Sequence, residues 1–343
     1  MGSVRRVLSL PARSGVGATE QPARGLSGPF NLQSRRQSGK AAMTYQVIDY
    51  TVDGAIGIIT LNRPDDLNTI VPPMLDELEN AVGRAIRDRA VKVILLQGAG
   101  RSFCAGFNFS GGFQQWDEHL ATDGHWDAGR DLMMVTSQEL GWVPRFMSLW
   151  RSPKPVIAQV HGWCVGGGSE MALCADIVIA SEDAQIGTPY SRMWGCHHAG
   201  MWVYRLGLAK AKELALTGRA VSGKEAAEIG LINKSVPFAE LQAETRKLAT
   251  QLASIPSSQL ASMKLVVNQA YDNMGLSTTQ MFGSVMDSMM RNTPEALQFI
   301  EKAKRDGVPA AVAERDGPFG DYSQGTKPNP RHVVALPSRK AAE

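Results

Sequence analysis

The chain has 343 residues, 43% hydrophobic and 20% charged, which is enough for one large domain or two small ones around a sizeable core. Its net charge of +3 is uneven: residues 1–42 hold seven basic residues and one acid, Glu20, a balance of +6, and the rest carries −3. That mildly acidic body argues against nucleic acid as a partner, and no uncharged apolar run approaches the ~20 residues of a membrane helix.

Residues 1–42 are rich in Arg, Ser, Gly and Pro and lack the unbroken apolar stretch of a secretory signal. They read either as an organellar transit peptide or as a non-functional leader before Met43. The expected location is accordingly the mitochondrial matrix or the cytoplasm. Cys104, Cys164, Cys174 and Cys196 have no paired spacing and are expected to be reduced thiols of an intracellular protein.

From Thr44 the pattern becomes regular. Thr44 to Val52 and Ala55 to Leu61 predict two strands around an Asp53-Gly54 turn. Val71 to Asp88 has helical period, and Val91 to Gln97 is a nearly continuous apolar strand of the buried parallel kind. A loop over residues 98–112 precedes a segment, Phe113 to Trp150, with helical stretches and four tryptophans. Pro155 to Val160 predicts another strand, followed by the turn His161-Gly-Trp-Cys-Val-Gly-Gly-Gly-Ser-Glu170 and a helix. Asp176 to Ser181 and Ala184 to Thr188 are short strands. The alternation implies right-handed crossovers stacked in sequence. The expected divisions are a leader over 1–42, an α/β core over 43–240, a helical region over 241–305 and a loose tail over 306–343.

The glycine turn carries the most chemistry. A strand ends, the backbone turns without Cβ atoms, and a helix start presents free N–H groups that suit an oxygen which is, or becomes, negative. Glu170 places an acid/base group one turn inside that helix. A tight turn and a dipole-stabilised glutamate are the purely structural alternatives.

Three segments together resemble the crotonase superfamily, the enoyl-CoA hydratase/isomerase family: Leu61-Asn-Arg-Pro-Asp-Asp-Leu-Asn68, Gly100-Arg-Ser-Phe-Cys-Ala-Gly-Phe-Asn108, and the glycine turn. The segment Thr217 to Leu231 is also typical of it. The resemblance implies an α/β fold with a ββα spiral core and a C-terminal all-helical trimerisation region, hence a homotrimer or hexamer. It implies an acyl-CoA thioester substrate whose enolate is held by the backbone N–H groups of Phe107 and Gly167. Glu170 takes the place of one of the two hydratase glutamates. Arg63 is the expected CoA phosphate contact, and Ala105 is expected beside the adenine. CoA serves as substrate carrier; no metal or other cofactor is expected, and neither is a nucleic acid or membrane partner.

The pattern also breaks. Where the second hydratase glutamate should follow Ile186-Gly187, the chain offers Tyr190 or Ser191, and a phenol with an ordinary pKa near 10 is not a base at neutral pH. Gly195-Cys-His-His-Ala-Gly200 replaces the usual glycine-rich stretch and brings His197 and His198 toward the acyl pocket. Asn108 stands for the family's Asp, and Ala199 occupies the position of the aroyl-CoA dehalogenase nucleophile. The leading expectation is hydration or double-bond isomerisation with a single glutamate. The alternatives are decarboxylation or C–C hydrolysis of a β-keto or malonyl-type thioester, and non-catalytic acyl-CoA binding.

Overall fold

The computed structural model describes residues 44–108, 116, 120–123, 125–193, 195–196, 199–322 and 327–336. Residues 1–42, with their proposed leader, and the pair His197 and His198 lie outside the described residues.

The strand β1 (Ile48–Asp53) turns back antiparallel onto β2 (Ile56–Leu61), and helix α1 (Pro72–Arg87) leads to β3 (Val93–Gly98). A two-strand hairpin, β4 (Ala121–Thr122) and β5 (His125–Trp126), precedes α2 (Ala128–Thr136) and α3 (Trp142–Arg151). Then come β6 (Val156–Val160), β7 (Trp163–Val165), α4 (Gly167–Leu173), β8 (Ile177–Ser181) and β9 (Gln185–Gly187). After α5 (Met201–Leu206) and α6 (Leu208–Thr217), the chain forms β10 (Val221–Ser222), α7 (Gly223–Glu228) and β11 (Lys234–Val236).

The main sheet runs β1-β2-β3-β6-β8-β11, parallel after the first pair. A smaller sheet orders β10-β9-β7, with β7 and β9 parallel. Each passage from β6 to β7 and from β8 to β9 moves the chain between sheets, which is the spiral expected from the sequence. β2, β3 and β6 are buried along their whole length, which explains why they read as apolar runs without alternation. Gly162 makes the β6–β7 corner with φ +61°, and a Cβ there would lie 2.0 Å from the Arg101 carbonyl oxygen, so no other residue fits.

Buried polar groups fasten the start of the sheet. Glu77 on α1 is buried and accepts the backbone N–H groups of Gln46, Val47 and Ile48 at 2.8, 3.0 and 3.1 Å. Lys264 reaches from the C-terminal helices to Asp176 at 2.7 Å and to the Leu149 carbonyl at 3.1 Å.

The C-terminal region is helical as the sequence predicts: α8 (Phe238–Ala253), α9 (Ser257–Asn273), α10 (Leu276–Met290) and α11 (Pro294–Asp306). The expectation of a loose tail is corrected over much of its length. Residues Val308–Asp316 form α12, Asp316 is buried with Arg192 and Arg315 paired to it, and Tyr322 is buried and donates to the Gly218 carbonyl at 2.9 Å. Val334 exchanges backbone hydrogen bonds with Gly100. The proline and glycine content that reads as loose here terminates short helices packed on the core. Among the described residues no helix is long and apolar enough to cross a membrane, and all four cysteines are free thiols.

Candidate active site

Asn68 organises the first motif. It is fully buried, adopts φ +54°, accepts the Arg63 N–H at 2.7 Å and donates to the carbonyls of Ala99 (2.7 Å) and Ser102 (2.8 Å). One side chain therefore pins the loop after β2 to the loop after β3. The Ala105 N–H to Leu67 carbonyl bond (3.0 Å) extends that seam toward the glycine turn.

The second and third motifs meet. Cys104 and Cys164 form a parallel bridge, and the Val165 N–H bonds the Cys104 carbonyl at 3.0 Å. Gly168 packs so closely that a Cβ would lie 2.3 Å from the Cys104 carbonyl oxygen. The Phe107 ring covers Gly167, where a Cβ would stand 2.6 Å from Cε2. Among the described residues, neither the Phe107 nor the Gly167 N–H donates a backbone hydrogen bond. Both residues line one cavity of about 780 Å³, a volume ordinary for a ligand of drug size or larger. Two uncommitted amides, one on an extended segment and one at a helix start, on the wall of one cavity, have the composition of an oxyanion hole.

Tyr190, rather than Ser191, faces this cavity; Ser191 is exposed. The phenol edge packs on the turn, 3.7 Å from where a Gly166 Cβ would stand. Burial, then the nearby charges of Glu170 and Asp287, push its pKa well above the ordinary value of 10.0, so the phenol stays protonated. It can donate a proton or a hydrogen bond but cannot serve as a base near neutrality.

Glu170 is fully buried and lies behind the wall rather than in it. One carboxylate oxygen accepts the Ala199 N–H in a short bond. The Ala199 carbonyl in turn accepts from Gln280 on α10 at 2.6 Å. Asn108 keeps its loop in place by donating to the Thr69 hydroxyl at 3.1 Å and through its own N–H to the Ile70 carbonyl at 2.9 Å.

Ala105 lines the cavity, and Arg63 is not among its lining residues. Its guanidinium is held by Asp66 and by the Thr69 carbonyl at 2.7 Å, so it braces its own loop. Among the described residues, the basic side chains on the cavity wall are Arg101, Arg291, Arg315 and Lys327. Two of these come from the tail read as loose, which is why sequence reasoning passed over them.

Arg291 and Asp287 were also missed. Helix α10 points a polar stripe inward: Gln280, Ser284, Asp287 and Ser288 are buried, while Phe282 is 65% and Met289 59% exposed. The signal was present as an amphipathic pattern with its usual orientation reversed. Periodicity alone does not say which face is buried.

A spiral between a mostly parallel main sheet and a smaller mixed sheet, with two backbone donors at the glycine turn, fits a class of thioester enzymes. The sequence pattern of the enoyl-CoA hydratase/isomerase family matches residues 51–306. The chain belongs to this family, within the crotonase superfamily. It is 32% identical over 222 residues to a probable mitochondrial enoyl-CoA hydratase of Dictyostelium discoideum, covering 64% of this chain and 74% of that one. It is 34% identical over 227 residues to the 1,2-epoxyphenylacetyl-CoA isomerase of Escherichia coli strain K12, covering 65% and 82%. The crystal structure of an enoyl-CoA hydratase from Mycobacterium smegmatis aligns with TM-score 0.75 and 39% identity over 82% of this chain and 97% of that one.

Proposed function

We propose that the chain acts on 2-enoyl-CoA thioesters, adding water or moving the double bond, and that the Phe107 and Gly167 amides hold the thioester oxygen while it carries enolate charge. The observation that carries this reading is the pair of uncommitted amides on one cavity wall, beside a phenol kept neutral. Fixed backbone donors need no reorganisation as charge develops, and one such donor is worth about 3–4 kcal/mol. In hydration, the water oxygen bonds to Cβ and a proton reaches Cα. Glu170 accepts that proton from the attacking water as the O–H bond breaks and passes it to Cα, while Tyr190, which stays protonated, donates a hydrogen bond that positions the water. The relatives' names, hydratase and isomerase, support the same chemistry.

The test is loss of enoyl absorbance with thioesters of several chain lengths. Glu170→Gln keeps an oxygen for the Ala199 N–H, so folding should hold while kcat falls roughly 100- to 10,000-fold, the range for a lost general acid/base. No turnover at any length, or a Glu170→Gln variant equal to wild type, rejects the reading.

The burial of Glu170 behind the cavity wall favours a second reading, decarboxylation or C–C hydrolysis with Tyr190 as proton donor. Release of CO2 or of a cleaved acid separates it from hydration.

The assembly is proposed to be a trimer or a dimer of trimers. The support is the outward apolar face of the C-terminal helices, including Leu265, Val266, Phe282 and Met289. A monomeric mass by light scattering rejects it. The matrix is the proposed compartment if residues 1–42 direct import; a fluorescent fusion with and without them decides between matrix and cytoplasm.

A further inference from the structure

The segment from Val308 to Tyr322 lies beyond residues 51–306, which match the family pattern, yet it wraps the turn that carries Tyr190. That turn, Pro189–Arg192, is one turn of 3-10 helix. The Met193 N–H closes it on the Tyr190 carbonyl at a long 3.3 Å. A single 3-10 turn has poor hydrogen-bond geometry and little stability of its own, so its place depends on what grips it from outside.

The grip falls on Arg192, two residues after the phenol. Its side chain is 3% exposed. The guanidinium donates to both carboxylate oxygens of Asp321, one of them at 2.8 Å, and to Asp316 at 3.3 Å. It also donates to the Thr217 carbonyl at the end of α6 at 3.0 Å, and the Phe319 ring lies against it at 4.0 Å. Asp316 is itself held by Arg315 through bonds of 2.9 and 2.6 Å. An arginine–carboxylate fork fixes direction as well as distance, so it holds the turn in one orientation.

The same segment reaches the glycine turn. Tyr322 donates to the Gly218 carbonyl at 2.9 Å and packs on Gly187, where a Cβ would stand 2.1 Å from its hydroxyl. The Gly187 carbonyl in turn accepts the Gly166 N–H at 2.8 Å and the Ser169 hydroxyl at 3.3 Å. Residues 316–322 therefore touch one end of the Tyr190 turn and a partner of the glycine turn, and the phenol edge rests on Gly166 between them. Arg315, Tyr322 and Tyr190 lie on the same cavity wall. Fastening a tail needs only a surface ion pair, which is worth little; here a buried fork is committed to the residue next but one to the phenol.

We propose that Asp321 and Arg192 are positioning residues for Tyr190: the C-terminal segment grips Arg192 and thereby aims the phenol at the cavity beside the Gly167 amide. The proposal rests on the reading of Tyr190 as the hydrogen-bond donor to the attacking water and adds how that donor is aimed.

The test pairs kinetics with a measurement that needs no turnover. Asp321→Ala should lower kcat roughly 10- to 100-fold, the scale of a misplaced catalytic group, while KM for an enoyl-CoA moves less than about threefold. Asp321→Asn, which keeps one acceptor oxygen, should lose less. In a Tyr190→Phe background Asp321→Ala should lower kcat by less than about twofold, because the group being aimed is gone; a merely structural loss would multiply equally in both backgrounds. Hydrogen exchange by mass spectrometry should be faster in the peptide 186–193 of Asp321→Ala and unchanged in the β1–β2 hairpin. Circular dichroism and thermal melts establish that each variant is folded; should Ala unfold, Asn is read in the same way. Equal fold-losses in the two backgrounds, a kcat for Asp321→Ala within about twofold of wild type, or unchanged exchange in peptide 186–193 overturns the proposal. Absence of enoyl turnover in wild type, with faster exchange of that peptide in Asp321→Ala, rejects the hydratase reading and leaves the anchoring of Tyr190 standing.

Discussion

Gly168→Ala isolates the contact on which the paired amides depend. The added methyl would lie 2.3 Å from the Cys104 carbonyl oxygen and 2.8 Å from Cys104 Cβ. Comfortable contacts for such atoms need about 3.5 Å, so the start of α4 must retreat from the Cys104–Phe107 segment by on the order of 1 Å. The obstructing oxygen is backbone, and the Val165 N–H already holds it at 3.0 Å, so it cannot turn aside. The Gly167 donor moves with the helix while the Phe107 donor stays. A 1 Å misplacement costs roughly 100-fold, and loss of one oxyanion donor roughly 100- to 1,000-fold, so kcat should fall within that span. Overpacking should also lower stability by about 1–3 kcal/mol. Steady-state loss of the enoyl chromophore gives kcat, and calorimetry with a saturated acyl-CoA gives ground-state affinity, which should change much less than kcat. A variant with kcat within about threefold of wild type, where one donor should be worth about 100-fold or more, would refute the claim that the two amides act as a pair.

Glu77→Ala strips the partner from three backbone N–H groups of the β1 entry; stability in urea should fall by about 3 kcal/mol with kcat of the remaining folded enzyme unchanged. His161 is buried beneath the turn with Nε2 2.8 Å from the Gly100 carbonyl, and burial lowers its pKa below the ordinary 6.5. Below pH 6.5 the unfolded chain binds a proton there that the folded chain refuses, so stability present above that pH is lost as pH falls toward the depressed value. Thermal melts should show a steeper acid loss in wild type than in His161→Gln; parallel curves would count against it. Tyr190 stays neutral beyond pH 10, so Tyr190→Phe should lower kcat without moving the alkaline limb of the rate profile; a shifted limb would mean that the phenol ionises.

Much of the spiral was legible because parallel strands buried on both faces must be apolar throughout, and their connections must be helical. The strands around Asp53-Gly54, helix α1 and the glycine turn fall within a few residues of where the pattern puts them. The motif ending in Asn68 was visible, but its work was not: one buried amide bonds three backbone groups that lie 5, 31 and 34 positions away. Arg63 illustrates the converse. A basic residue beside a loop reads as a ligand contact in sequence, whereas in the structure Asp66, three residues later, pairs with its guanidinium.

By itself, then, the sequence determined the fold class and the bare helix start at the glycine turn, because glycines, apolar runs and capping positions are local facts, while the pairing with the Phe107 amide came from the resemblance. Tertiary structure decided what surrounds those amides. It placed Tyr190 rather than Ser191 in the cavity, put Glu170 behind the wall, and turned the polar face of α10 inward so that Asp287 and Arg291 reach the cavity. It also folded residues from the tail onto the same cavity. These outcomes depend on contacts between residues up to 160 positions apart, and the i, i+4 spacing of Asp287 and Arg291 reads in sequence as an ordinary solvated helical pair. Only packing distinguishes that from a buried one.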